Sequence, residues 1–411
     1  MNKKKIYPWV VVALLWVVAL LNYMDRQMLS TMQEAMKADI VELNKAEAFG
    51  ALMAVFLWIY GLVSPLAGVF ADRFSKKWLV VISLFVWSGV TFLMGFATSF
   101  SQLYVLRAVM GISEAIYIPS ALTLIADWHT GKSRSLAIGI HMTGLYTGQA
   151  IGGFGATVAA AFSWEETFHG FGLIGIAYSM ILILFLRDNP ERELEKKATP
   201  STDKGKRQGL RGMGIVLSTW AFWVLLFYFT APSLPGWAVR NWLPTLFAQD
   251  LQIPMASAGP VSTITIAVSS FLGVIIGGVL SDRWVQRNIR GRIYTSAIGL
   301  ALTIPALVFL GFGHSLTAVV SAGVCFGVGY GMFDANNMPI LCQIISVRYR
   351  ATAYGLMNMT GVFAGALVTQ VLGRWSDGGE LGLGFALLGG IVALAVILQL
   401  ACLRPITDNV E

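Results

Sequence analysis

"GVFADRFSKKW" (68–78) ends one long apolar run, and "GGVLSDRWVQRNIRGR" (277–292) ends another. Both copies set an Asp-Arg pair and a following group of bases where the hydrophobic residues give out. A duplicated element at that separation points to a duplicated half-protein. The boundary lies between the copies, at about 188–213, where "PERELEKKATPSTDKGKRQGLRGM" (190–213) is a long polar stretch with proline and many charges. A second echo follows: "RSLAIGIHMTG" (134–144) resembles "RATAYGLMNMTG" (350–361), and a one-residue offset aligns His141 with Asn358. The expected organisation is an N-terminal bundle over 1–187, a cytoplasmic linker over 188–213 and a C-terminal bundle over 214–411.

Each half holds six apolar runs. They fall near 9–31, 47–70, 78–97, 102–126, 135–161 and 166–186, then near 214–246, 258–281, 293–312, 316–345, 351–373 and 381–403. A helix rises 1.5 Å per residue, so about 20 residues cross about 30 Å of hydrocarbon, which is close to the length of each run. Composition agrees: 56% of the 411 residues are hydrophobic and 12% charged, against about 25% charged in a soluble domain. Forty-three glycines suit close helix packing in lipid. The fold expected is an all-α membrane protein with twelve transmembrane helices in two pseudo-symmetric six-helix bundles.

The formal charge of +7 is a matter of topology rather than of nucleic-acid binding. Lys3, Lys4, Lys5, Lys76, Lys77, Lys132, Arg134 and the basic linker all lie on one side if the spans alternate. The positive-inside rule makes that side the cytoplasm and places both termini there. The first outer loop, "EAMKADIVELNKAE" (34–47), is acidic by contrast. A plasma membrane is expected, the inner membrane if the source is bacterial. The lysine-led start is read as a retained first helix, because Asp25 and Arg26 stand where a small-residue cleavage site would be needed. Cys325, Cys342 and Cys402 are odd in number and lie in apolar segments, so buried inert thiols are expected, with no disulfide framework and no metal. Neither a Walker loop, a dinucleotide fingerprint, a nucleophile elbow nor a paired-histidine zinc motif occurs, so the chain is not read as an enzyme and no cofactor is expected.

Taken together, the runs, the basic central loop and the duplicated loop resemble the major facilitator superfamily of secondary transporters over the whole chain. The family's loop pattern is a glycine, three residues, Asp-Arg, then glycine and bases. Gly68, Asp72, Arg73, Lys76 and Lys77 match it, while Ser75 stands where the family usually has glycine. The duplicated pairs Asp72–Arg73 and Asp282–Arg283 are expected at the cytoplasmic gate, where an acid at a helix end can pair with bases or with the N-terminus of an opposing helix. Within the superfamily, "NYMDRQMLS" (22–30) and "LRAVMGISEAIYIPS" (106–120) resemble proton symporters of organic anions and sugar acids, including aldonate, hexuronate and sialic acid carriers. Lipid-exporting spinster-like carriers share much of this pattern and are the rival reading.

Charges inside the spans point to the site, because an ionisable group at the bilayer centre costs about 2.5–3.5 kcal/mol and normally faces a cavity or a partner. They are Asp25, Arg26, Arg107, Glu114, His141, Arg240 and Asp334. Successive helix positions differ by about 100°, whereas positions seven apart nearly coincide. Arg107 and Glu114 therefore share a face, and Asp25 and Arg26 do not. Counting depth from the span ends favours an ion pair of Asp25 with Arg107 and leaves Arg26 to a central cavity, where a guanidinium suits a carboxylate. A structural role for Arg26, neutralising Asp25 or Glu114, is the alternative. Burial near mid-membrane penalises the charged form of Glu114, so it can carry a proton. The resemblance assigns the same roles: the Arg of the first-span pair contacts substrate carboxylate, and the matching glutamate works in proton coupling with the first-span aspartate.

In the second half, Asp334 and Asn337 share a face at i, i+3 with Asn336 about 100° from Asp334. This cluster can read hydroxyls or can simply bond helix to helix. Arg240 lies late in its span, at an outer vestibule or snorkelling to the interface. His141, Asn358 and Tyr23 complete the candidate substrate contacts, with Asp25, Glu114, Arg107 and Asp334 for coupling. The expected activity is symport of a small organic anion, a sugar acid above all, by alternating access in a monomer. The coupling ion is a proton, with sodium left open, and the partners are the anionic substrate and the lipid bilayer.

Overall fold

A computed structural model describes residues 3–129, 132–190, 214, 217–218, 220–345 and 349–405, without the side chains of 3–5, 68–73, 132, 135 and 351. Among the described residues every regular element is helical: α1 (Lys3–Leu29), α2 (Gln33–Met36), α3 (Ala46–Arg73), α4 (Lys76–Met94), α5 (Phe100–Trp128), α6 (Lys132–Gly152), α7 (Gly155–Ala161), α8 (Trp164–Phe185), α9 (Trp220–Leu251), α10 (Met255–Val285), α11 (Gly291–Phe312), α12 (Leu316–Asp334), α13 (Asn337–Ile344), α14 (Arg350–Asp377) and α15 (Leu381–Cys402), with one 3₁₀ turn at Val41–Asn44. Several starts are written locally. Ser75, Ser99, Ser163 and Ser315 cap α4, α5, α8 and α12, each side chain accepting from a backbone N–H three residues on, which satisfies a donor the first helical turn leaves open.

Eleven helical stretches among the described residues are long and apolar enough to span a bilayer, and the chain is a multi-pass membrane protein. The expected fifth span, 135–161, is instead two helices, α6 and α7, interrupted at Gly153 and Phe154. Its polar residues, among them His141, Thr143, Thr147 and Gln149, dilute the apolar run. What holds α6 in place is backbone proximity. Gly144, Gly148 and Gly152 form a ladder against the carbonyls of Trp16, Leu20 and Met24 on α1, and a Cβ on any of them would sit inside van der Waals contact. Small residues at four-residue spacing let two helices in lipid touch along their backbones.

The chain divides into two compact units, Met1–Ser201 with Met255–Pro260, and Thr202–Pro254 with Val261–Glu411. Each has its own internal packing, and the pairs correspond. In the first, α1 packs on α6, α4 on α5 and α4 on α8; in the second, α9 packs on α14, α11 on α12 and α11 on α15. The echo at 134 and 350 is a shared cap. Arg134 Nη2 and Nε donate to the carbonyls of Ala126 (3.1 Å) and His129 (3.3 Å), and Arg350 does the same to Cys342 (2.8 Å) and Ile345 (3.2 Å). Each arginine thus closes the carbonyl end of the helix before its own, where a cation is favoured. Residues 191–213, most of the expected linker, lie outside the described residues. The cysteines are free, but Cys402 is exposed at the end of α15 and Cys325 and Cys342 are half-buried, which corrects the expectation of buried thiols.

Candidate functional site

In the first unit the charged cluster is assembled from α1, α3, α4 and α5. Arg26 Nε donates to Glu114 Oε2 at 2.5 Å, with the Arg26 side chain 12% exposed and that of Glu114 fully buried. The guanidinium lies among three rings, its Cζ 5.1 Å from the centroid of Tyr23, 4.9 Å from Phe56 and 4.8 Å from Tyr60. Such contacts are worth up to about 2 kcal/mol when desolvated. Among the described residues, Arg26 Nη2 and Glu114 Oε1 have no hydrogen-bond partner. One edge of the cation is therefore left for something else, while Asn22 on α1 lies beside the acid, close enough to act on its carboxylate.

The expected Asp25–Arg107 pair is not the ion pair that forms. Asp25 is buried and accepts from Thr91 Oγ1 at 3.4 Å. Arg107, also buried, sets its Cζ 4.6 Å from the Phe56 ring and points Nη1 at Met110 Sδ, 3.0 Å away. Asp25 and Arg26 do diverge by their 100° as expected, Asp25 toward α4 and Arg26 toward α3 and α5. The error was one of depth: counting from span ends treats α1 and α5 as parallel rods of common origin, whereas packing against neighbours sets their offset and tilt. Phe56 and Tyr60 on α3, Thr91 on α4 and Asn22 on α1 were missed. The aromatics at 56 and 60 share a face at i, i+4, but rings are too common in this chain for that spacing to mark a site.

In the second unit the tenth span breaks where a continuous helix was expected. α12 stops at Asp334 and α13 starts at Asn337. Asn337 Nδ2 donates to Asp334 Oδ1 (3.2 Å), while Tyr228 on α9 donates to Asn337 Oδ1 (3.2 Å) and shares a hydrogen bond with Ser296 (2.8 Å). Asn336 is fully buried and uses Nδ2 on the Met332 carbonyl at 2.8 Å, which leaves Oδ1 with no partner among the described residues. Asp334 itself is exposed. Arg240, half-buried on α9, packs 5.3 Å from the Trp237 ring and acts electrostatically on Asp334.

His141 is fully buried on α6, with its ring 6.1 Å from that of Tyr117 and the Leu15 backbone of α1 beside it. Asn358 is half-buried on α14. Of the duplicated loop, the side chains of Asp72 and Arg73 lie outside the described residues. Asp282 is exposed and meets Arg292 at 3.5 Å, and Arg283 is exposed beside it; such a surface pair contributes about 0–1 kcal/mol. The first copy is tied down more firmly at 75–77. Lys76 pairs with Asp127 on α5. Asp188 accepts from the Ser75 hydroxyl and, at 2.9 Å, from the Lys77 N–H. Ser75, where a glycine was expected, thus serves as the α4 cap.

Residues 15–369 match the family model described as Major Facilitator Superfamily. The chain is 25% identical over 406 residues to a chloroplastic ascorbate transporter of Arabidopsis thaliana, covering 93% of this chain and 74% of that one. It is 26% identical over 367 residues to a probable sulfoacetate transporter of Cupriavidus necator, covering 85% and 84%. A crystal structure of a bacterial homolog of the human lysosomal transporter Spinster, inward-facing and occupied, superposes with a TM-score of 0.80 at 20% identity over 100% of this chain and 99% of that one. That likeness is one of fold.

Proposed function

We propose, for a chain that belongs to the Major Facilitator Superfamily, proton-coupled symport of a small organic anion by alternating access, with a sugar acid of the hexuronate, aldonate or sialic acid class as substrate. One observation carries the reading: the Arg26 guanidinium is held in an aromatic box, bound on Nε by Glu114 and unpartnered on Nη2 among the described residues. A buried guanidinium needs an anion beside it. With Glu114 ionised, that anion is internal. When Glu114 takes a proton, the cation is left to the substrate's carboxylate, which it can grip in a planar two-bond geometry. Proton and substrate then occupy the site together, because each makes room for the other's charge. Relatives named for carrying ascorbate and sulfoacetate support an anionic cargo.

Asp25 is the second carboxylate of the coupling set, with Arg107 as its nearby cation. Asp334 is the proposed coupling carboxylate of the second unit, and Arg240, Asn336, Asn337, Asn358, His141 and Tyr23 are the proposed substrate contacts. The two Asp-Arg loops form the cytoplasmic gate, and both termini are cytoplasmic in a plasma membrane. Thermal-shift screening of the purified protein against sugar acids, neutral sugars, amino acids and lysolipids tests the substrate class. Sugar acids are expected to stabilise it; stabilisation by lysolipids alone would return the reading to a spinster-like exporter.

A further inference from the structure

We infer that the second unit binds anionic phospholipid headgroups at a basic edge formed by the α10–α11 loop and the end of α15. The inference goes beyond the transport reading and does not depend on the cargo. α10, α11 and α15 are each long and apolar enough to cross a bilayer, so their ends fall where hydrocarbon gives way to headgroups. Side chains join those ends. Arg290 Nη2 donates to the Leu400 carbonyl in the last turn of α15, and Gln399 Nε2 donates to the Ile293 carbonyl in the first turn of α11 at 2.7 Å.

Charge on this edge is almost all of one sign. Arg283, Arg287, Arg290, Arg292 and Arg404 stand against a single acid, Asp282, and that acid is already held by Arg292 at 3.5 Å. Arg283, Arg287 and Arg404 are exposed and make no ion pair or hydrogen bond among the described residues. The matching edge of the first unit differs, because its bases are met from inside the protein. Lys76 pairs with Asp127, Lys77 Nζ donates to the Ile183 carbonyl at 2.8 Å, and Asp188, just past the end of α8, accepts from Ser75 and from the Lys77 N–H. α15 takes the place of α8 in the second unit, and just past its end stands Arg404. An internal anion in one half is thus replaced by a further cation in the other. Whatever anion balances the second edge comes from outside the described residues.

What adjoins the arginines selects a lipid over a soluble anion. On α10, Ile276 and Leu280 are exposed and lead at four-residue spacing to Trp284, beyond which lies Arg287 in the loop. On α15, Ile397 and Leu400 are exposed in the last two turns before Arg404. The Tyr294 ring of α11 lies 5.5 Å from that of Trp284 and 5.2 Å from the Arg290 guanidinium carbon, and rings of this kind settle at headgroup depth. Cations at the rim, amphipathic rings beside them and an aliphatic wall beneath match a molecule with a phosphate at one end and acyl chains at the other. Arginine forks suit phosphate oxygens, and bases just outside a span attract anionic lipids.

Native mass spectrometry of the full chain in detergent, titrated with phosphatidylglycerol or with phosphatidylcholine, tests the site. The unmodified protein should bind phosphatidylglycerol at least about tenfold more tightly. Arg404→Gln should weaken that binding about fivefold, and Arg287→Gln with Arg404→Gln about 25-fold, one fivefold step for each base, with phosphatidylcholine binding unchanged. Thermal melts in phosphatidylcholine should match those of the unmodified protein, since neither arginine is paired; if the double variant unfolds, the single one carries the test. Lys37→Gln with Lys45→Gln removes the same charge from the segment between α1 and α3 and should leave phosphatidylglycerol binding intact. An equal loss there would mean that net charge alone draws the lipid, which overturns the site. Equal affinity of the unmodified protein for the two lipids overturns it as well, because acids of the chain itself or solvent ions would then satisfy the arginines. Competition by glycerol phosphate at the concentration of the lipid would assign the edge to a soluble phosphate and overturn the lipid.

Discussion

Arg26 and Glu114 join the first and fourth spans through a hydrogen-bonded ion pair of 2.5 Å, in which the acid has no exposed surface and the base keeps one nitrogen unpartnered among the described residues. A pair of this kind cannot be dismantled by removing one member without consequence, because the survivor is a buried charge. In the proposed symport this pair is where a proton and a substrate carboxylate exchange places.

Arg26→Ala is expected to abolish anion binding and to destabilise the protein by about 3–5 kcal/mol through the stranded Glu114. Adding Glu114→Gln should recover the stability and not the binding. Calorimetric titration alongside thermal melts separates the two effects. Normal affinity in Arg26→Ala would remove this residue from the substrate site.

Glu114→Gln alone imitates the protonated acid. In proteoliposomes it should retain counterflow exchange and lose accumulation driven by an imposed pH gradient. If the ion pair were only structural, exchange and accumulation would fail together. Intact accumulation in this variant would leave Asp25 as the coupling acid of the first unit.

Phe56 lies within 5 Å of both the Arg26 and the Arg107 guanidinium carbons. A double-mutant cycle of Phe56→Leu with Arg107→Gln should show a coupling energy of about 0.5–2 kcal/mol in chemical denaturation. Additive effects would mean that the ring contributes packing alone.

Gly148 presents its Cα to the Leu20 backbone, whereas Gly139 on the same helix has nothing within 4 Å of where a Cβ would lie. Gly148→Val should therefore lower stability by about 1–3 kcal/mol more than Gly139→Val, the difference being the cost of prising α6 from α1. Equal melting temperatures for the two variants would mean that α1 and α6 can separate without penalty.

The membrane class, the helical fold and the duplication were legible in the chain because they depend on run lengths, composition and a repeated loop, all of which are properties of order along the sequence. Two spans resisted. The fifth is interrupted at 153–154 and the tenth between Asp334 and Asn337, and an apolar run does not by itself register a break whose open backbone groups are met from elsewhere, as Thr31 does for the Ala156 N–H.

Sequence also determined which charges lie inside the membrane, since any Asp, Glu, Arg or His within a span can be read directly, and helical angles alone separated Asp25 from Arg26. Which acid meets which base was decided by the tertiary structure. Arg107 and Glu114 share a face, so the partner of each first-span charge depends on how far α1 is displaced along α5 and on how it tilts. That offset is set by contacts such as the glycine ladder of α6 against the α1 backbone, and by side chains of α3 and α4 that no periodicity singles out. Ion pairing is short-ranged and falls with distance, so a shift of one helical turn is enough to exchange one partner for another.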